Sequence, residues 1–247
     1  VYAFGRPSQG DIDRVLTLQL DPYYAAPLWP DARSLAALQA RAMLDAGRAT
    51  ERDFAEVAAK SQRNARKNPA AVRGGDGAVD ALLAAPYVMS PLRAHDLPPV
   101  TDGAAAIVLA AGDRARSLAK HPAWIRGIDH RIEPHALGAR DLTKSVSTAL
   151  AGKKAGALDG TPDAAELHAQ YSHEEVLLRQ ALSLGASVSV NPSGGPLASN
   201  PTMVTGLARF GEAAKLVLDG SAKRVVAHAS SGPCLQQNLV SVLGSDK

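Results

Sequence analysis

Residues 191–201 read NPSGGPLASNP, a run of glycine, proline, serine and asparagine between two regular elements. Residues 188–190 before it form a short apolar strand, and residues 203–218 after it have the apolar spacing of a helix. The glycines at 194 and 195 allow close backbone approach, and the following helix N-terminus offers free N–H groups. This geometry suits an oxyanion, although an ordinary turn has the same composition.

Strands and helices alternate on both sides of this loop. We predict helices at residues 114–120, 174–184 and 203–218, and strands at 104–110, 124–132, 188–190, 224–228 and 239–243. Such alternation indicates an α/β fold with a parallel or mixed sheet and helices on its faces.

The first half of the chain contains a helical hairpin and a loop. Residues 35–59 have helical spacing broken at Gly47, and Thr50 followed by acids predicts a helix start. Residues 61–77 are basic and then glycine-rich, which predicts a loop. Residues 1–4 read as a strand whose partner comes either from this chain or from a segment upstream of Val1. Glycine and lysine at 150–162 predict an exposed connection between two halves.

Composition limits the class of protein. The chain has 247 residues, 46% apolar but only 4% aromatic, so Ala, Val, Leu and Ile must fill its core. A net charge of +3 with interspersed signs argues against dedicated nucleic-acid binding. The single cysteine, Cys234, excludes an intramolecular disulfide and a cysteine-rich zinc site. With no signal-like leader and no apolar run of membrane length, we expect a cytoplasmic protein.

Four segments resemble the thiolase superfamily. They are VTDGAAAIVL at 100–109, ELHAQYSHEE at 166–175, VNPSGGPLASNPTMVTG at 190–206 and the final strand pair ending in LVSVL at 239–243. The resemblance is to the sterol-carrier-protein thiolase branch, which includes bacterial lipid-transfer proteins and thiolase-like steroid side-chain aldolases. It implies two stacked mixed sheets with helices in layers (αβαβα) and an inserted loop domain.

The resemblance also implies a division of the chain. Residues 1–140 would be the remainder of the N-terminal thiolase half, with the loop domain at about 16–97, and residues 141–247 the C-terminal half. The family's nucleophilic cysteine would lie upstream of Val1, so no nucleophile is assigned here.

The resemblance further implies four catalytic candidates. His168 occupies the family's histidine motif and would donate a hydrogen bond to an enolate oxygen. Tyr171 either acts as an acid or base or packs as the family's aromatic does. Asn200 replaces the usual Gly-His-Pro histidine, so it keeps a donor but loses the base. Cys234 lies two residues after Gly232, which occupies the family's proton-shuttling cysteine position; it is either shifted into the site or simply a buried small residue.

Coenzyme A is expected as part of the substrate, with no tightly bound cofactor and no metal. Its proposed contacts are Ser193, Gly194, Gly195, Arg63 and Arg66, although both arginines also fit as solvated charges. His173 and His228 are either proton relays or satisfied buried histidines.

Three functions remain open on these residues. The first is an acyl-CoA carbon–carbon bond enzyme of lipid or sterol side-chain metabolism, working by retro-aldol or Claisen-type chemistry through a thioester enolate. The second is an acetyl-CoA acyltransferase whose cysteine lies upstream, and the third is a non-catalytic lipid or acyl-CoA carrier or pseudoenzyme. The resemblance implies an acyl-CoA or steroid-CoA substrate, a homodimer and a small zinc-ribbon and OB-fold partner. The substituted motifs favour the first or third function.

Overall fold

A computed structural model describes residues 1–245, and its regular elements follow the apolar pattern of the sequence. The helices are α1 Ile12–Thr17, α2 Ala32–Asp45, α3 Glu51–Ala65, α4 Val79–Ala84, α5 Gly112–Leu118, α6 Val146–Lys154, α7 Ser172–Ala181 and α8 Thr205–Leu218. The strands are β1 Tyr2–Gly5, β2 Tyr87–Met89, β3 Leu92–Arg93, β4 Gly103–Ala106, β5 Trp124–Ile132, β6 Ala164–Glu166, β7 Ser189–Val190, β8 Arg224–Ser231 and β9 Gln237–Gly244. The last two residues of the predicted C-terminal half, 141–247, lie outside the described residues.

A five-stranded mixed sheet organises the second half of the chain. Its order is β5-β9-β8-β6-β7, with β6 parallel to β7 and β8 and with β9 antiparallel to both neighbours. Successive residues of β8 alternate between two apolar clusters, because neighbouring side chains of a strand point to opposite faces. The predicted mixed sheet is confirmed.

Helices cover both faces of this sheet. On one face, Ala213 and Val217 of α8 pack against Val225 of β8. On the other face, Val226 belongs to a larger cluster that includes Leu178 of α7, Phe54 of α3 and alanine side chains of α2 and α6. Alanine is frequent in both clusters, as the low aromatic content requires.

Helix α8 also contacts a second, two-stranded sheet. β1 pairs antiparallel with β4, so the strand at the start of the chain finds its partner within the chain. The predicted strand at 104–110 is too long, because β4 ends at Ala106, which faces Tyr2. Beyond that pair, Ile107 still exchanges hydrogen bonds with Val1, its N–H donating to the Val1 carbonyl and its carbonyl accepting from the Val1 amino group, but residues 108 and 109 are exposed.

Two further predictions are corrected. Residues 150–162 are not simply an exposed connection, because α6 runs to Lys154 and Ala151, Ala155 and Ala157 are buried. The lack of a side chain at Gly152 allows this close packing, since a Cβ there would lie 2.5 Å from Leu182. The loop predicted from residue 61 begins after Ala65, where α3 ends.

The two helices predicted within residues 35–59 are present as α2 and α3, joined by a short turn that contains Gly47. Thr50 and Asp53 form a reciprocal capping box at the start of α3. No helix within residues 1–245 is long and apolar enough to cross a membrane.

We expect Gly206→Ala to destabilise the protein and Gly211→Ala, the same change in the same helix, to stabilise it. A Cβ at Gly206 would lie 2.8 Å from the Ala229 Cβ on β8, so helix and sheet would have to separate, at a cost of about 1–3 kcal/mol. A Cβ at Gly211 meets nothing within 4 Å, and alanine there should contribute about 0.5–1 kcal/mol. Urea unfolding measures both changes; equal effects would contradict the packing described here.

Candidate active site

A cavity of about 290 Å³ lies where the start of α7, the start of α8 and the β8–β9 turn meet the α1–α2 region. Three of the four predicted catalytic residues line it: His168, Tyr171 and Cys234. Asn200 is not among the lining residues, whereas Glu174, which the sequence did not single out, is.

His168 is held by the neighbouring strand β8 in one tautomer. The Ser230 main-chain N–H donates to its Nδ1 at 3.1 Å, and the Ser230 hydroxyl donates to its carbonyl oxygen at 3.1 Å. Burial, assisted by His228 and Arg209, lowers the pKa of His168 to about 3, so the ring is neutral. Because Nδ1 accepts a hydrogen bond, the proton of the neutral ring is on Nε2. The side-chain nitrogen of Gln170 lies 3.3 Å from His168 Nε2. Because both nitrogens are donors in this tautomer, they form no hydrogen bond with each other.

Glu174 is a buried carboxyl in the first turn of α7. Its Oε2 accepts from the main-chain N–H groups of Gln170 at 2.7 Å and Tyr171 at 3.3 Å. Burial raises the pKa of Glu174 to about 7, outweighing these two hydrogen bonds, which lower it. The sequence signal for this residue was an acid near a helix start, which usually indicates only capping.

Tyr171 and Cys234 keep their protons near neutral pH. Burial, together with the Glu174 carboxylate, raises the pKa of the Tyr171 phenol above its ordinary value. Burial raises the pKa of Cys234 to about 12, and its thiol donates to the Leu35 carbonyl oxygen at 3.4 Å. The thiol therefore fits a buried small residue better than a proton shuttle.

The turn that carries Cys234 has an unusual backbone. Gly232, Cys234 and Leu235 have φ values of 75°, 52° and 56°, a region that non-glycine residues rarely adopt. Arg140 donates to the carbonyl oxygens of Pro233 at 3.0 Å and Cys234 at 3.3 Å. These bonds hold the turn against the cavity.

The glycine loop at 191–201 is bonded inside the protein. The Ser193 N–H donates to Glu166 at 3.0 Å, the Gly194 N–H to the Asn191 carbonyl at 2.9 Å and the Gly195 N–H to the Ser193 hydroxyl at 3.2 Å. Internal acceptors therefore use these three N–H groups, and the prediction that the loop and the start of the following helix hold an oxyanion stays a prediction.

Helix α3 covers the same loop. Ser61 donates to the Gly194 carbonyl oxygen at 2.5 Å and Asn64 to that of Asn191 at 2.9 Å. A Cβ at Gly194 would lie 2.9 Å from the Ala65 Cβ, so only glycine permits this approach. The proposed coenzyme A contacts Ser193, Gly194 and Gly195 are consequently buried and absent from the cavity wall.

The two proposed arginine contacts are exposed on and just after α3, and Arg66 pairs with Asp76. Neither Arg63 nor Arg66 lines the cavity, so a coenzyme A contact there stays a prediction. Among residues 1–245, no three His, Cys, Asp or Glu side chains are grouped as a metal site would need.

The remaining candidates have internal partners. Thr205 donates to Asn200 Oδ1 at 2.8 Å, which leaves the Asn200 amide NH2 as the donor. His173 Nε2 lies 3.3 Å from Gln39 Oε1, and His228 Nε2 lies 2.9 Å from Asn238 Oδ1. Burial lowers the pKa of His173 to about 3 and that of His228 to about 4. In each of these two histidines Nε2 has a partner, whereas the buried Nδ1 has no hydrogen-bond partner among the described residues.

Known proteins were compared with this chain at the level of sequence. No family model matches it. It is 28% identical over 222 residues to an acetyl-CoA acetyltransferase of Methanothermobacter thermautotrophicus, covering 81% of this chain and 58% of that protein. It is 24% identical over 229 residues to the benzoylsuccinyl-CoA thiolase subunit BbsB of Thauera aromatica, covering 80% and 59%. The chain thus spans less than two thirds of either curated relative.

Solved structures share the architecture. The Ltp2–ChsH2(DUF35) aldolase matches with a TM-score of 0.74 and 20% identity, over 100% of this chain and 72% of that one. A monomeric SCP2-thiolase-like protein type 1 from Mycobacterium smegmatis matches with a TM-score of 0.76 and 17% identity, over 94% and 54%. The chain therefore has the thiolase-like α/β fold, and its resemblance to the thiolase superfamily is confirmed.

We expect Arg209→Met to destabilise the protein strongly. Arg209 donates to Glu166 at 2.6 Å, and burial raises the pKa of the Glu166 carboxyl while Arg209 lowers it. Removing the cation leaves a buried carboxylate unpaired, which typically costs about 3–5 kcal/mol.

The double variant Glu166→Gln/Arg209→Met removes both charges and should lose less stability than the sum of the single changes. Urea unfolding of the four proteins of this cycle gives the coupling free energy. Additive losses would contradict the charge pairing.

Proposed function

We propose that this protein is an acyl-CoA carbon–carbon bond enzyme that works through a stabilised thioester enolate. The observation that carries the proposal is the tautomer of His168. Because Ser230 donates to Nδ1, the cavity receives a neutral imidazole with an N–H donor at Nε2. Such a donor stabilises the negative charge that develops on a thioester oxygen.

The type of reaction follows from the groups that accompany His168. Asn200 is an amide in place of a histidine and Cys234 holds its proton, so the two bases of ordinary thiolysis are not available. We therefore propose retro-aldol or Claisen-type chemistry on a lipid or sterol side-chain thioester. The fold shared with the Ltp2–ChsH2(DUF35) aldolase supports this choice.

An acetyl-CoA acyltransferase is the second candidate. The two curated relatives support it, since one is an acetyltransferase and the other a thiolase subunit. It requires a nucleophilic cysteine outside this sequence, because Cys234 is a buried thiol whose pKa is raised to about 12.

The partner of the aldolase neighbour suggests an assembly for this protein. We propose binding to a small DUF35-type partner, with zinc-ribbon and OB-fold parts, because the Ltp2 aldolase is described together with ChsH2(DUF35). A homodimer is proposed on the superfamily resemblance alone, and the SCP2-thiolase-like neighbour from M. smegmatis is monomeric. Analytical ultracentrifugation with and without the partner tests both contacts.

The full-length protein should cleave a β-hydroxyacyl-CoA or β-hydroxy steroid-CoA in the presence of the DUF35-type partner. We expect His168→Ala to lower kcat by roughly 10²–10³-fold, the usual effect of losing one oxyanion donor. His121→Gln changes an exposed histidine outside the cavity and should leave kcat unchanged.

The same preparations are assayed for thiolysis of acetoacetyl-CoA with free CoA. Robust thiolysis would contradict the aldolase proposal and support the acyltransferase. Substrate binding without either reaction would support a carrier.

A further inference from the structure

Glu174 is the one carboxyl among the described residues that line the cavity. Two main-chain N–H groups fix its Oε2, and its Oε1 accepts no hydrogen bond from a described residue. Neither oxygen is ion-paired within residues 1–245, in contrast to the neighbouring Glu175, which pairs with Lys60. One carboxyl oxygen is thus anchored while the other remains available.

Gln170 places this carboxyl beside the enolate donor. Its main-chain N–H bonds to Glu174, and its side-chain amide lies 3.3 Å from His168 Nε2. The Glu174 carboxyl and the His168 ring therefore both lie next to Gln170, and both residues line the same cavity.

We propose that Glu174 is the catalytic proton-transfer group of this cavity, taking the β-hydroxyl proton of a β-hydroxyacyl thioester and returning it to the α-carbon of the enolate. This assignment rests on the proposed carbon–carbon bond function. It names a residue that the superfamily resemblance did not supply.

The reaction balances with one carboxylate. Glu174 accepts the hydroxyl proton, the bond between the α- and β-carbons breaks, and the β-carbon becomes a ketone or aldehyde. The electron pair of that bond passes into the thioester enolate. The enolate oxygen accepts a hydrogen bond from His168 Nε2–H, which keeps its proton. Glu174 then protonates the α-carbon and is again a carboxylate. One β-hydroxyacyl thioester gives one carbonyl compound and one shorter thioester, with no other reactant.

The other titratable groups of the cavity do not compete for this role. His168 is neutral and its Nδ1 is occupied, and burial keeps protons on Tyr171 and Cys234. Burial raises the pKa of Glu174 to about 7, where a carboxyl both accepts and returns a proton readily. The charged groups that act on His168, Tyr171 and Cys234 from surrounding elements are Asp13, Asp31, Arg33, Arg140 and Arg209.

Kinetics of Glu174→Gln provide the first test. We expect kcat for cleavage to fall by roughly 10²–10⁴-fold, and the limb of the kcat/KM profile near pH 7 to disappear. Glu174→Asp should retain part of the activity and keep a pH limb. Glu56→Gln, on the exposed surface of α3, is the matched control and should behave as the unchanged protein.

Exchange of the α-protons of a saturated acyl-CoA in D2O isolates the enolate step from bond cleavage. The unchanged protein should incorporate deuterium, and Glu174→Gln should do so at least roughly 10²-fold more slowly. This assay needs neither a nucleophile nor an aldol acceptor.

Unfolding as a function of pH tests Glu174 without any substrate. The folded pKa of about 7 lies above the ordinary value of 4.5, so the folded protein binds this proton more tightly than the unfolded chain. Stability from this group is therefore lost as pH rises from about 4.5 to 7. Across that range, the folding equilibrium constant of Glu174→Gln relative to the unchanged protein should rise by roughly two orders of magnitude.

The outcomes separate the two proposals. Cleavage that survives Glu174→Gln, or a relative stability independent of pH, overturns the role of Glu174 and leaves the carbon–carbon bond function standing. Glu174-dependent deuterium exchange without cleavage supports the proton-transfer role and overturns the aldol reaction. An unchanged protein that neither cleaves nor exchanges overturns both.

Discussion

The buried carboxylate of Glu166 is the constraint on which the site depends. A charge with no exposure to water must be paired and hydrogen-bonded, and Glu166 receives bonds from Ser193 and Arg209. Those bonds join the end of β6, the glycine loop and α8. His168 follows two residues after Glu166, and Gly206 precedes Arg209 by three on α8. The pairing therefore fixes the two segments that meet at one wall of the cavity.

Burial also sets the ionisation states of the side chains that line the cavity. Removing a group from water favours its neutral form, which lowers the pKa of His168 and raises those of Cys234 and Glu174. The pKa values of these groups shift by different amounts because their hydrogen-bond and charged partners differ. The Glu174 carboxylate receives two N–H bonds that partly offset its burial, whereas the His168 ring has positively charged Arg209 nearby. The result is a neutral donor and a carboxyl that titrates near neutral pH.

Local sequence patterns predicted the elements better than the site. The alternation of apolar runs was sufficient for the mixed sheet, because strand and helix periods depend on neighbouring residues. The predictions of a strand over 104–110 and of an exposed connection at 150–162 were wrong. The length of the strand depends on its partner β1, and the burial of the connection depends on contact with Leu182. The contacts of the glycine loop could not be predicted for a similar reason. Its N–H groups donate to Glu166 and to the Ser193 hydroxyl within the loop, which its composition does not reveal.

The position of Asn200 separates the support of α8 from the lining of the cavity. Thr205 bonds the Asn200 side chain at the start of α8, so this amide supports the helix and does not line the cavity. The donor and the carboxyl instead come from one continuous segment, the loop after β6 and the first turn of α7, where His168 and Glu174 are separated by six positions. Gln170 bonds to Glu174 and lies beside His168, and Ser230 of β8 holds the His168 ring from the neighbouring strand. Substitutions within this segment can therefore alter the groups that line the cavity while the pairing of Glu166 and Arg209 keeps the surrounding sheet and helices in place.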